Sequence, residues 1–205
     1  MSGPVSGGSL GRVLRRTASE GFAHADDVLD DRFRRALWLE IRDGPLRPMV
    51  GEFGTARVRM ETLGFDVAAP FDGFPCVREL GAVLAERVRV DGAGIRGLAS
   101  WRPNEAGVGV YAPGSVGISS HLDGRWFRRL VVVFTIAGSA RFEVRTAREG
   151  DVAETWNARA GGITFLRGPG LAGMRDGRPF HAVRGPLGAR RCSLAFRMRI
   201  GRSEE

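Results

Sequence analysis

The chain holds three histidines, His24, His121 and His181, and one of them stands two residues from a carboxylate in His121-Leu122-Asp123. On an extended segment residues i and i+2 point to the same face, so this imidazole and this carboxylate converge on a single ion. A second imidazole from a distant strand, His181, completes a three-ligand face. Two His and one carboxylate leave the other positions of an octahedral iron open to further ligands, whereas a structural zinc wants a closed tetrahedral shell, usually with Cys. His24 lies beside a segment that reads as helical and is expected to be solvated. Ten residues after His181, the run Arg191-Cys192-Ser193-Leu194-Ala195-Phe196-Arg197 alternates in character. As a strand it would put Arg191, Ser193 and Arg197 on one face, with Cys192, Leu194 and Phe196 on the other. A planar guanidinium grips a carboxylate at two points and keeps its charge, so Arg191 suits the far carboxylate of a keto acid chelated by the ion.

Such side chains need short strands to hold them. From Val108 onward β-prone runs alternate with Gly and Pro, and strands are expected at 108–111, 130–136, 140–145, 162–166, 180–183 and 192–200. Ahead of them, 25–41 reads as a helix, with Val28, Leu29, Phe33, Leu37 and Ile41 at helical spacing and acidic residues toward its start. Gly44 and Pro45 end it. Residues 57–63 read as a strand or an irregular extended segment. Pro75 opens a second helix over 77–90. The pattern predicts a mainly β protein with flanking helices, a jelly roll. Residues 1–20, rich in Gly, Ser and Arg, read as a disordered tail, and 21–205 as a single domain.

The formal net charge is +8, and all 31 basic residues are Arg. A positive surface favours an anionic partner: nucleic acid, a phosphorylated molecule or a dicarboxylate. Cys76 and Cys192 stand far apart, which is neither a disulfide framework nor a zinc-site spacing. That fits a reducing compartment, the cytoplasm. No apolar run approaches the ~18 residues a membrane helix needs. No membrane contact is expected, and a monomer is.

His-x-Asp, a distal His and Arg-x-Ser about ten residues beyond it resemble the pattern of the Fe(II)- and 2-oxoglutarate-dependent oxygenases. More narrowly, the chain resembles their AlkB branch. Tyr111-Ala112-Pro113-Gly114 is similar to a Tyr-x-Pro-Gly segment found there, Gly162-Ile163-Thr164-Phe165 to the strand before the distal His, and the terminal Arg191-to-Arg197 run to the final strand. The likeness spans roughly Tyr111 to Arg197. It implies a double-stranded β-helix, with Fe(II) held by His121, Asp123 and His181 as the catalytic centre. It also implies 2-oxoglutarate held by Tyr111, Arg191, Ser193 and Arg197, O₂ as second co-substrate, and oxidative hydroxylation or demethylation of alkylated DNA or RNA. Trp101, Arg125 and Trp126 are then candidates for substrate contact. Two positions depart from that branch: Gly109 replaces an Asn, and Gly124-Arg125-Trp126-Phe127 replaces acidic residues that follow the His-x-Asp. The second departure favours the same chemistry on a small molecule or a protein side chain. A jelly-roll binding protein without turnover is a third expectation.

Overall fold

The computed structural model describes residues 3–5, 8–54 and 57–201. Helix α1 (Gly11–Glu20) occupies part of the expected disordered tail, of which residues 1, 2, 6 and 7 lie outside the described residues. This corrects that expectation, and the cause is an apolar stripe hidden in a basic segment. Leu10, Leu14 and Thr17 recur at three- to four-residue spacing and are buried, while Arg12 and Arg15 face outward. The Leu10 N–H donates to Asp91 Oδ2 at 2.9 Å, and Gly21, at φ 100°, closes the helix with its N–H on the Thr17 carbonyl.

The helix expected over 25–41 divides in two. Strand β1 (Phe22–Ala25) takes its first residue, and helix α2 (Asp31–Arg42) begins only after Asp30, whose carboxylate accepts from the Phe33 N–H at 2.9 Å. That N-cap fixes the start. Strands β2 (Arg47–Phe53) and β3 (Val58–Ala68) form a hairpin, and helix α3 (Pro75–Asp91) follows with proline in its first turn. Then come β4 (Glu105–Tyr111), β5 (Ile118–His121), β6 (Phe127–Ala137), β7 (Ser139–Arg145), β8 (Val152–Arg159), β9 (Ile163–Arg167), β10 (Phe180–Val183) and β11 (Arg191–Arg199).

The eleven strands make one continuous, antiparallel, curled sheet in the order β1-β9-β6-β11-β4-β3-β5-β10-β7-β8, with β2 added on β3. β3 and β5 share a single ladder pair, Met60 and Ile118, beside which the Arg59 N–H donates to Ser119 Oγ at 2.9 Å. On one side of that junction β9, β6, β11 and β4 form a broad wall; on the other, β5, β10, β7 and β8 form a narrower one. Strand alternation separates two apolar layers. Val132, Phe134, Ile136, Leu194 and Phe196 point outward against Leu14, Leu37, Leu80 and Leu84 of the three helices. Val131, Phe142, Val144, Leu166 and Val183 point inward, between the walls. The architecture is a mainly β jelly roll with flanking helices, as the strand pattern predicts. No helix among the described residues is long and apolar enough to cross a membrane.

Candidate active site

His121 ends β5, His181 lies in β10, and the two are direct cross-strand partners. Their rings face each other with centroids 4.2 Å apart. Asp123 stands just past β5, and its Oδ1 lies 4.0 Å from Nε2 of each histidine. One ligand atom from each of the three residues lies within 4.8 Å of the others, so the trio can hold a metal ion. The tautomers suit that role. Nδ1 of His121 faces the Ser119 carbonyl at 2.8 Å, and Nδ1 of His181 faces the Pro179 carbonyl at 3.1 Å. A carbonyl only accepts, so each Nδ1 carries the proton and each Nε2 turns its lone pair toward the centre. Burial, and then the neighbouring His181, push the His121 pKa below its ordinary value, which keeps the ring neutral.

The cluster opens onto a pocket of about 290 Å³ lined from both walls. Across it, β11 pairs with β4 so that Arg191 stands opposite Tyr111 and Ser193 opposite Gly109. Arg191 is 1% exposed, and no carboxylate among the described residues pairs with it. Its Nε is buried without a partner, Nη2 reaches only Thr135 Oγ1 at 3.4 Å, and its guanidinium carbon lies 5.6 Å from the Tyr111 ring centre. Burial lowers the Arg191 pKa and raises that of Tyr111, without approaching loss of the guanidinium charge at neutral pH. Gly109 makes this packing possible: a Cβ there would sit 3.1 Å from the Tyr111 ring. A side chain in place of Gly109 would therefore press on the tyrosine.

Arg197 shares the inward face but is already engaged. It donates to Glu105 Oε1 at 3.0 Å and Asp66 Oδ1 at 3.2 Å, over the Phe127 ring at 4.8 Å. Its charge is thus matched within the protein, although it lines the pocket and keeps a buried Nε without a partner. Trp101 is corrected as a substrate contact. It is fully buried among the helices, with Nε1 donating to the Leu130 carbonyl at 2.9 Å, and it touches no part of the pocket. Arg125 and Trp126 lie outside the pocket lining; Arg125 is exposed and sits 3.5 Å from Asp176. His24 is not solvated either. It stacks on Trp156 at 5.3 Å and bonds Asp26 and Thr164.

Sequence reasoning missed the hairpin residues that wall the pocket, Met49, Met60, Thr62 and Asp66. It also missed Arg178, which is nearly buried. Arg178 binds both oxygens of Asp176, at 2.9 and 2.8 Å, and donates to the backbone carbonyl of Asp123. Arg178 thus ties the segment before His181 to the one carrying Asp123. Nothing local in the sequence marks it among the other arginines.

The sequence matches no family model and no curated protein. Solved structures do match. A prolyl-4-hydroxylase from Pseudomonas putida is 18% identical with a TM-score of 0.62, over 93% of this chain and 99% of that one. The non-haem α-ketoglutarate-dependent epimerase SnoN of nogalamycin biosynthesis is 18% identical with a TM-score of 0.59, over 91% and 81%. An oxidoreductase of the 2OG-Fe(II) oxygenase family from Burkholderia pseudomallei is 15% identical with a TM-score of 0.59, over 94% and 91%. At these identities the likeness establishes the architecture: nearly the whole chain folds as the jelly roll of these 2-oxoglutarate and Fe(II) enzymes.

Proposed function

We propose that the protein is an Fe(II)- and 2-oxoglutarate-dependent oxygenase that hydroxylates, and so can demethylate, its substrate. The observation that carries this reading is Arg191. A buried guanidinium without a counter-charge is costly, and a carboxylate entering the pocket would relieve it. The remaining residues fit the same pair of ligands. His121, Asp123 and His181 would hold the metal and leave its other positions open. Bound there with 2-oxoglutarate and O₂, iron supplies oxidation of an unactivated C–H bond, the co-substrate leaving as succinate and CO₂.

The chain's own residues position and enclose. Arg191 fixes the distal carboxylate through its planar fork, with the Tyr111 hydroxyl and Ser193 beside it. Val131, Val133 and Phe142 add an apolar lining to the pocket, with Phe142 stacked on the His181 ring at 5.6 Å. Arg197, locked to Glu105 and Asp66, forms a charge-balanced wall.

The substrate reading draws on the run after Asp123. A pocket of about 290 Å³ that also receives the co-substrate admits one small group, and Gly124-Arg125-Trp126-Phe127, without acidic residues, favours a small molecule or a protein side chain over an alkylated base. A second reading keeps the AlkB branch and alkylated nucleic acid, and it draws on the net charge of +8. Succinate release from alkylated DNA and RNA oligomers, set against pools of metabolites and peptides, separates the two. The oxygenase reading is tested earlier, by anaerobic titration of Fe(II) with 2-oxoglutarate. A metal-to-ligand charge-transfer band is expected, and it should vanish in His121→Ala and Asp123→Ala. An unchanged spectrum in those variants would defeat the ligand assignment.

A further inference from the structure

We infer that the outer face of the narrow wall carries a second ligand site, for a small molecule with an anionic head on an apolar body. This inference does not depend on the oxygenase reading. A cavity of about 960 Å³ lies on that face, within the size range of small-molecule sites. Strand alternation sets its lining. In β10, His181 and Val183 face inward, so Ala182 and, just past the strand, Arg184 face the cavity; in β7, Phe142 and Val144 face inward, so Arg141, Glu143 and Arg145 face it.

At its centre Glu143 is buried, and three guanidiniums surround its one carboxylate. Arg145 Nη2 and Arg184 Nε each lie 2.9 Å from it, and Arg141 Nε lies 3.5 Å away. One negative charge faces three positive ones. Arg145 is the inner member of the set, held also by the Gly150 carbonyl. The side chains of Arg141 and Arg184 remain 59% and 60% exposed, with donors left over after Glu143 is served. The surplus charge stands beside an apolar lining of Ala182, Pro186 and Val116, and Leu187 on the rim is 99% exposed. Convergent cations beside apolar lining recognise an anionic amphiphile: the fork binds carboxylate, phosphate or sulfate, and the lining takes the body.

The site also abuts the metal cluster from behind. Ser119 lines the cavity while its carbonyl holds Nδ1 of His121, and Ala182 is the chain neighbour of His181. A ligand seated there would press on the strands that set both imidazoles.

The test is calorimetric titration of the full chain, without metal, using octyl phosphate as the probe. Octyl phosphate is expected to bind at one site, and more tightly than octanol or inorganic phosphate by on the order of tenfold, since each carries half of the recognition. Arg141→Ala/Arg184→Ala should weaken octyl phosphate by on the order of tenfold or more. Arg141→Gln/Arg184→Gln, which keeps the shape and some donors, should weaken it too and guards against an effect of misfolding. Saturating 2-oxoglutarate should leave the affinity unchanged. Equal binding to the wild type and both double variants would overturn the inference, and so would displacement of the probe by 2-oxoglutarate, which would place it in the inner pocket.

Discussion

Arg191 holds a permanent charge where water does not reach, and its environment offers only a hydroxyl at 3.4 Å and a tyrosine ring. The consequence is separable from metal binding, because its guanidinium touches none of the three metal-ligating side chains. Arg191→Ala should weaken 2-oxoglutarate by roughly 3–5 kcal/mol, a factor of about one hundred to a few thousand, with Fe(II) affinity nearly unchanged. Titrating each ligand separately checks this; equal losses for both would show that the arginine supports the fold instead. Arg191→Lys should recover little, since a point charge lacks the fork. Gly109→Ala should also weaken the co-substrate, by roughly tenfold or less, because the new methyl meets the Tyr111 ring at 3.1 Å. The alternation that places Arg191 and Ser193 on one face, and the i, i+2 spacing of His121 and Asp123, are local, and so they are legible in the sequence. Whether a charge is already matched is not local. The carboxylates that occupy Arg197 lie 131 and 92 positions away, and the burial of Trp101 depends on helices that precede it.

The elements that bring the site together are two short segments, the end of β5 and the start of β10, and Arg178 staples them. Its fork on Asp176 and its bond to the Asp123 carbonyl set the gap between Asp123 and His181. Removing the staple should loosen the metal cluster while the strands remain. Arg178→Ala is expected to lower Fe(II) affinity by roughly 10–100-fold, the range seen when a group that orients a metal ligand is lost. The thermal midpoint should move little. An unchanged metal affinity would limit Arg178 to a surface role. At this scale the sequence is readable where periodicity is strong: β10 is as expected over 180–183, and α3 spans the expected 77–90 helix. It fails where tertiary contact overrides composition. β2 carries Pro48 and Gly51 and is exposed along most of its length, so only its pairing with β3 makes it a strand. α1 looks like a basic tail until Leu10 and Leu14 find the core.

Over the whole molecule, a net charge of +8 means that carboxylates are the scarce partners, and each one set among arginines matters to the stability of the fold. Glu143 is the clearest case. Burial alone would raise its pKa, but the hydrogen bonds from Arg184 and Arg145 outweigh this and hold it below its ordinary value near 4.5. A carboxyl whose pKa is lower folded than unfolded binds its proton more weakly in the native state. Its contribution is therefore complete above the unfolded pKa and is lost as pH falls through the folded one. Asp176, held low by Arg178, acts with the same sign. Stability should accordingly decline as pH drops below about 4.5, while protonation of the other carboxylates adds to repulsion among the arginines. Glu143→Gln isolates the ionic part. At pH 7 it should be less stable than the wild type by roughly 1–3 kcal/mol, because three guanidiniums lose their shared anion. As the wild-type carboxyl itself takes up a proton, that difference should shrink toward zero. Urea unfolding of both proteins at pH 7, 5 and 3 measures the gap directly. A gap that stays constant across the series would mean that Glu143 stabilises the wall by its shape and hydrogen bonds, and not by its charge.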